Sequence, residues 1–388
     1  MAGCGLIADD LTGALDAGAP FLRAGLRAVL PLTADPGPAA AADVLLLNTE
    51  SRDAPDAGPA AAAARAAARA LRASGVPRVY KKIDSVLRGF PGPELGAVLD
   101  VYGGRALVAP AFPAQGRTTL AGVQRLHGRP VERFGGRLAA ALGAAAARCD
   151  VFDAATDADL AAIARRAGGD AGHPVWCGTA GLAAHVPPAW GLRPAGGGPP
   201  ALPAVDRVCV VAGTSHPVTV RQVETLLASG WRGHRLDPRP APDGHPEALP
   251  PEAVAARLAT ALSAGTGAAV SFVGGLSAAE TEALAAHPAT TPEALLALLG
   301  RLGQALRAEA GLGLILTGGE TALAVCRAMG GTAIEVVGEA LPGVPLGVLH
   351  LPGGPVAVAT KSGGFGAADA LRRTAEALIA GGRPAGPP

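Results

Sequence analysis

Arg78-Val-Tyr-Lys-Lys-Ile-Asp-Ser-Val-Leu-Arg-Gly89 reads as a strand running into a polar turn, and the rest of the chain is best read outward from it. Only three lysines, Lys81, Lys82 and Lys361, occur among the 33 Lys and Arg residues, so arginine serves wherever a solvated cation is enough. A doubled lysine beside Asp84, Ser85 and Arg88 therefore marks a place that wants compact ammonium groups instead of forked guanidinium. The spacing predicts a strand over 78–83 and a turn over 84–89 at its carboxyl end, where open α/β sheets bind ligands. The plainer alternative is a solvated charge cluster at a strand end.

A chain of 388 residues exceeds one ordinary core and predicts about two domains. Hydrophobic residues make up 49% against 17% charged, which supplies a large core and excludes global disorder. An aromatic share of 3% argues against a base-stacking platform, and a formal charge of +1 leaves no footprint for duplex nucleic acid or an anionic membrane. The expected partner is a small molecule, with no nucleic acid and no membrane. Cys4, Cys149, Cys177, Cys209 and Cys326 are odd in number and widely spaced, and the eight histidines lack ligand spacing. That is neither a disulfide framework nor a zinc pattern, and it suits a reducing compartment. With no signal-peptide pattern and no apolar run of membrane-spanning length, a cytoplasmic location is expected.

In the first half, Cys4 to Ala8 form a short apolar run ending at Asp9-Asp10-Leu-Thr-Gly13, and helical spacing follows over 14–28. Two acids stand where a dinucleotide fold would place its glycine-rich turn. They would repel a pyrophosphate, which disfavours a nicotinamide or flavin fold. They could instead bind sugar hydroxyls, hold a cation or accept a proton; helix capping by Asp10 or Thr12 accounts for one acid but less easily for both. Strands are expected over 27–32, 44–47, 106–109 and 175–177, and helices over 60–73, 94–101 and 156–168. Arg52 falls just past the second of these strands, where a guanidinium suits a carboxylate. Residues 110–122 read as a Pro- and Gly-rich loop, polar at Gln115, Arg117 and Thr118. Alternating strands and helices indicate α/β architecture with mostly parallel sheets. The density of Pro and Gly over 187–204 marks a linker, which divides the chain into 1–186, 187–204 and 205–388.

The second half repeats one pattern, a strand ending in a small-residue turn. Arg207 to Ala212 leads to Gly213-Thr-Ser215-His216-Pro217 and a helix over 218–227; Leu312 to Leu316 leads to Thr317-Gly318-Gly319-Glu320-Thr321 and another helix. Val356 to Ala359 leads to Thr360-Lys361-Ser362-Gly363-Gly364-Phe365-Gly366. A strand over 268–273, a helix over 292–310 and a loop over 235–251 complete the reading. Such turns present backbone N–H groups suited to phosphate. They form no Walker loop, because Thr360 and Pro355 stand where its glycines would be. A tight turn needing positive φ is the alternative for each glycine pair.

Six segments, Asp9-Asp10-Leu-Thr-Gly-Ala14, Thr49-Glu-Ser-Arg52, Lys81 to Gly89, Pro110 to Arg117, Gly318 to Ala322 and Lys361 to Gly366, stand in an order that resembles the four-carbon acid sugar kinases. The resemblance runs from about residue 6 to 370. It implies an N-terminal substrate domain and a C-terminal nucleotide domain, with ATP and substrate meeting in a cleft. It also implies phosphorylation of a terminal hydroxyl on a threonate, an erythronate or a 3-oxo-tetronate. By motif, Asp9, Asp10, Arg52, Lys81, Lys82, Asp84 and Ser85 would line the sugar-acid site. Ser215, Gly318, Gly319, Glu320, Thr321, Lys361, Gly363 and Gly364 would contact ATP. Two positions depart from the family pattern: Val86 where threonine is common, removing a hydroxyl beside the substrate site, and His216 where many members carry serine.

The expected mechanism has Arg52 and one lysine on the substrate carboxylate, and Asp84 or Asp10 accepting or orienting the hydroxyl proton. Lys82 counts with these acids as catalytic. Lys361 is expected to neutralise the transferred phosphoryl group, and Mg2+ to bridge the ATP phosphates through ligands the sequence leaves unnamed. A homodimer is admissible. The rival readings are an ATP-independent sugar-acid lyase or isomerase, against which the C-terminal glycine turns argue, and a non-catalytic sugar-acid sensor, which would bind ligand but consume no ATP.

Overall fold

A computed structural model describes residues 2–34, 37–168, 173–214, 216–235, 267–271, 292–307 and 309–382. The chain divides into two compact units, Met1–Pro199 and Pro200–Pro388.

The N-terminal unit carries strands β1 (Cys4–Ala8), β2 (Ala28–Pro31), β3 (Val44–Asn48), β4 (Val79–Lys82), β5 (Ala106–Ala109), β6 (Arg117–Leu120), β7 (Val123–Leu126), β8 (Arg129–Pro130), β9 (Cys149–Val151) and β10 (Val175–Gly178). Its helices are α1 (Leu11–Gly18), α2 (Ala57–Ala73), α3 (Pro91–Tyr102), α4 (Leu138–Leu142), α5 (Asp157–Ala167), α6 (Ala180–Ala183) and α7 (Val186–Ala189). Seven strands lie in the order β2-β3-β1-β4-β10-β5-β9, all parallel. The runs are apolar on both faces, as strands covered by helices on two sides must be. From β1 the chain moves to β3 on one side and returns to β4 on the other. The carboxyl ends of these three strands therefore flank a topological switch point, the usual ligand crevice of such sheets.

Helix packing follows from small residues. Ala60, Ala64, Ala68 and Leu71 form the buried stripe of α2, and a side chain at Gly5 would strike the Leu71 methyl carbons. The helix expected over 14–28 is shorter and starts earlier. Asp10 caps α1, and the chain tightens at Ala19–Ala24 into a 3-10 turn around Pro20, which lacks the N–H that would continue the helix. The loop expected over 110–122 instead contains a hairpin, β6 pairing antiparallel with β7, and β8 completes a small sheet. Ala121 and Gly122 at its tip both have positive φ, as a two-residue hairpin turn of the primed type requires. Alanine rather than asparagine at the first of them is why the sequence signal was weak. At the expected linker, Val186–Ala189 form a helical turn, since Pro187 and Pro188 sit in the first turn, where proline is tolerated.

The C-terminal unit contains β11 (Arg207–Ala212), β12 (Arg232–Arg235), β13 (Gly267–Ser271), β14 (Leu312–Thr317), β15 (Ala333–Leu341), β16 (Val344–His350) and β17 (Val356–Lys361). Its helices are α8 (Pro217–Ala228), α9 (Pro292–Arg307), α10 (Gly319–Ala328) and α11 (Ala370–Ile379). The order is β12-β13-β11-β14-β17-β16-β15, parallel from β12 to β17, with β16 antiparallel to both its neighbours. No element was expected over 333–350, where β15 and β16 form this hairpin. A switch point again lies beside β11 and β14. The expected loop over 235–251, apart from Arg235 at the end of β12, and the end of the expected 268–273 strand lie outside the described residues. A core of valine, leucine, isoleucine and alanine from β11, β14, β17, α8 and α11 supports the turns that follow these strands.

Candidate active site

Beyond the carboxyl ends of β1, β3 and β4, four acids and four cations interlock. The N–H groups of Ser51 and Arg52 donate to the Asp9 carbonyl at 3.1 and 3.2 Å, which folds the end of β3 back over β1. Arg52 then grips Asp9 as a fork, with Nε 2.9 Å from Oδ2 and Nη2 2.7 Å from Oδ1. Its Nη1 reaches Asp10 Oδ2 at 2.6 Å, while Nη2 stands 3.9 Å from Asp84. Asp10 both caps and pairs: its Oδ1 accepts the Gly13 N–H at 2.9 Å and its Oδ2 the Thr12 hydroxyl at 2.6 Å. Gly89, at φ 73°, closes the loop tightly, since a Cβ there would lie 3.1 Å from Asp9 Oδ2.

Asp84 holds its own turn. Oδ1 accepts from the N–H groups of Val86 and Arg88 at 3.0 and 3.2 Å, and Oδ2 from Arg88 Nε and Nη2 at 3.2 and 2.7 Å. Burial pushes the Asp9 and Asp84 carboxyls up, but Arg52, joined by Lys81 and Lys82 at Asp9 and by Arg88 and Lys82 at Asp84, outweighs it and holds both below the usual range. A carboxylate held ionised and occupied by four donors is a poor proton acceptor. The expectation that Asp84 takes the hydroxyl proton is corrected accordingly: this geometry makes it the anchor of the loop.

The two lysines diverge. Lys81 is fully buried, with Nζ 2.6 Å from Glu94 Oε2 and 2.8 Å from the Lys82 carbonyl. Burial draws its pKa down, and Glu94 with Asp9 more than reverses this, leaving it raised. Ser51 Oγ donates to the other Glu94 oxygen at 2.9 Å. An ammonium so enclosed does not reach a substrate, so Lys81 positions the cluster and does not line the site. Lys82 Nζ donates to the Ile83 carbonyl at 2.9 Å and stands 3.1 Å from where a Gly13 side chain would begin, at the opening turn of α1. Ser85 is buried, and its carbonyl accepts Gln124 Nε2 from β7 at 2.9 Å, tying the small sheet to the loop. Val86 is half-buried and packs against the hydrophobic core of this unit.

Sequence reasoning missed Glu94 and Ser51. An acid in a first helical turn reads as an ordinary partner of the helix dipole. Nothing local says that Lys81, thirteen residues earlier, pairs with it.

In the C-terminal unit the three small-residue turns meet. A side chain at Gly213 would collide with the Thr321 hydroxyl. One at Gly318 would lie 3.8 Å from Thr214 Cβ, and one at Gly363 would lie 3.0 Å from Thr214 Oγ1 and 3.2 Å from His216 Cβ. Gly318, at φ 94°, opens α10 with no side-chain cap, so the helix end presents backbone alone. Glu320 is exposed on that first turn and Thr321 is buried. His216 does what a serine would do there: its Nδ1 accepts the Val218 N–H at 3.2 Å and caps α8. Ser215 lies outside the described residues.

Lys361 departs from expectation. It ends β17 instead of sitting in the turn, and its side chain is fully buried. Nζ donates to Thr219 Oγ1 at 3.1 Å and to the carbonyls of Ser362, Phe365 and Gly363 at 3.0, 3.2 and 3.4 Å. Its donors are thus spent on the backbone of the loop that follows it. Thr219 and Gln222 of α8, which the sequence reading passed over, do the same: Thr219 Oγ1 donates to the Gly363 carbonyl at 2.7 Å, and Gln222 Nε2 to those of Phe365, Gly366 and Ala367 at 2.8–3.1 Å. Among the described residues no group of three or more His, Cys, Asp or Glu is placed to hold a metal ion. Nor is any helix there long and apolar enough to cross a membrane.

Comparison with known proteins agrees with this division. Residues 4–135 match the family model described as a sugar-binding N-terminal domain, and residues 209–371 match a nucleotide-binding C-terminal domain. A D-threonate kinase of Bordetella bronchiseptica is 33% identical over 96% of this chain and 97% of its own. One of Cupriavidus necator is 33% identical with the same coverage, and a 3-oxo-tetronate kinase of that organism is 31% identical over 94% of each chain. A Salmonella typhimurium protein of solved structure matches at TM-score 0.73 and 23% identity over 96% of this chain and 98% of its own, a likeness of fold.

Proposed function

We propose, for a chain that belongs to the four-carbon acid sugar kinase family and is thus a phosphotransferase acting on a sugar acid, that ATP is the donor and D-threonate the first acceptor to try. The observation that carries the ATP assignment is the meeting of three small-residue turns, at Gly213, Gly318 and Gly363, on one spot of the C-terminal unit. Backbone N–H groups there suit a polyphosphate. D-threonate is chosen because three relatives of that name align over nearly their whole length.

In the N-terminal unit, Lys82 is the lysine assigned to the substrate carboxylate, together with Arg52. Phosphoryl transfer passes through a loose transition state, so the protein's work is positioning and charge neutralisation. Asp10, whose side chain at 12% is more exposed than those of Asp9 at 4% and Asp84 at 7%, is assigned to orient the accepting hydroxyl. Mg2+ would neutralise phosphate charge and take most of its ligands from phosphate and water. Gly318, Gly319, Glu320, Thr321, Gly363 and Gly364, together with Ser215 by motif, are the proposed ATP contacts. The domain boundaries proposed are 1–186 and 205–388, with a cytoplasmic location and a homodimer as the assembly to look for by light scattering.

A coupled ADP-release assay with Mg2+ across D- and L-threonate, D- and L-erythronate and the 3-oxo-tetronates tests this reading. A strong response to D-threonate is expected. Silence across the panel with ATP still bound would move the acceptor to another acid. Silence without ATP binding would remove the nucleotide assignment.

A further inference from the structure

The ammonium of Lys361 is a buried cation surrounded by neutral groups. Its acceptors are one hydroxyl and three backbone carbonyls, and among the described residues no carboxylate pairs with it. Among the described residues, the elements around it pair no charge with it. From α8 come Thr219 and Gln222, β14 runs alongside with Thr317 in register, and the titratable side chains of the adjoining turns, His216 and Glu320, are exposed. Burial alone pulls the Lys361 pKa from 10.5 down to about 7. A cation in such a place is costly unless something answers its charge.

The direction of its bonds indicates what that is. In a trans peptide the N–H points opposite to the C=O. Drawing the carbonyls of Ser362 and Gly363 inward turns the N–H groups of Gly363 and Gly364 outward, and no described residue accepts from them. The turn that opens the loop is itself closed by Phe365, whose N–H donates to the Ser362 carbonyl at 3.1 Å. Outward N–H groups over a buried positive charge make an anion-binding concavity.

We infer that Lys361 is a positioning residue of the nucleotide site: it aims the Gly363 and Gly364 N–H groups from behind, and a bound phosphate supplies the counter-charge that its ammonium otherwise lacks. This rests on the nucleotide reading of the C-terminal unit. It goes beyond that reading in making nucleotide binding and protonation of a buried lysine one event. Lysine suits the place because a compact ammonium can spread its three N–H groups over three carbonyls and a hydroxyl, one donor being shared, whereas a planar guanidinium would need more room.

The test is calorimetric titration of the full chain with Mg-ATP at pH 8, in two buffers of different ionisation heat. At that pH the unliganded lysine is mostly neutral, and histidine, ordinarily near about 6.5, has already lost its proton. Uptake approaching one proton per ATP is expected, with affinity falling about fivefold between pH 7 and pH 8. Binding without uptake would overturn the inference and leave the nucleotide reading standing. Absence of ATP binding at pH 7 as well would remove both. His216→Asn, which keeps a capping acceptor, should preserve the uptake; if the uptake vanishes, histidine is its source and the inference fails. Lys361→Met should abolish the uptake and weaken ATP about tenfold or more, while KM for the sugar acid stays unchanged. Should that variant not fold, the wild-type uptake decides alone.

Discussion

The two units place their ligand groups alike, past the carboxyl ends of strands that flank a switch point, yet they fill those turns with opposite chemistry. In the N-terminal unit Asp9, Asp10, Asp84 and Glu94 are matched by Arg52, Lys81 and Arg88 through side-chain ion pairs, with the Lys82 charge close by. In the C-terminal unit the turns are glycine and threonine, and the one buried lysine there among the described residues is met by dipoles alone. The first arrangement is complete without ligand, so a small acid must enter by sharing cations already engaged, which favours selectivity. The second leaves backbone N–H groups and a buried charge awaiting an anion, which suits a larger and more highly charged partner.

The largest break in the comparison should come from Arg52→Ala. It strands two buried carboxylates, and removing one partner of a buried pair costs about 3–5 kcal/mol. Denaturant unfolding should reveal that loss, and any folded protein should lose nearly all phosphorylation while still binding ATP. Lys81→Met should be comparably destabilising by leaving Glu94 alone, whereas Lys82→Met should spare stability and raise KM for the sugar acid about a hundredfold, from the loss of a charge-assisted contact. Equal kinetic effects with equal stabilities would erase the distinction drawn between the two lysines.

Gly213→Ala should weaken ATP about tenfold by pushing the turn off Thr321, and Thr321→Ala in the same chain should recover part of it; a double-mutant cycle measures the coupling. The pH responses of the units should share a sign but fall in separate windows. Asp9 and Asp84 are held below their ordinary range, so their pairs stabilise the N-terminal unit above that range, and this is lost as pH falls through the lowered values. Lys361 is lowered to about 7, so from there to its ordinary 10.5 the unfolded chain holds more protons and the nucleotide-free C-terminal unit gains stability as pH rises. Hydrogen exchange of the full chain, read peptide by peptide, separates the two. The smallest effect is expected from Val86→Thr: a hydroxyl at this half-buried position against the core costs about 1 kcal/mol with kinetics unchanged.

Much of this was legible in residue types. Three lysines in an arginine-rich chain pointed to three special positions, and all three are buried, at 0%, 5% and 0% exposure for Lys81, Lys82 and Lys361. Apolar runs ending in polar or small-residue turns placed most strands and the turns that carry the ligand groups. The misses share one cause. The β6–β7 hairpin turns on Ala121, the β15–β16 hairpin follows no strict alternation, and Glu94 looks like any acid in a first helical turn.

The sequence by itself determined the α/β architecture and the address of each cluster, because periodicity and turn chemistry are local properties of the chain, and the order of its motifs carried the resemblance to the family. It could not determine which way a side chain faces once there. That Lys81 turns to Glu94 while Lys82 turns to α1, that Asp84 spends its oxygens on its own loop, and that Lys361 points behind its turn were decided only by tertiary structure. Burial makes an unpartnered charge costly, and the partners come from segments brought together by folding: Asp9 and Arg52 are 43 residues apart, and Lys361 and Thr219 are 142.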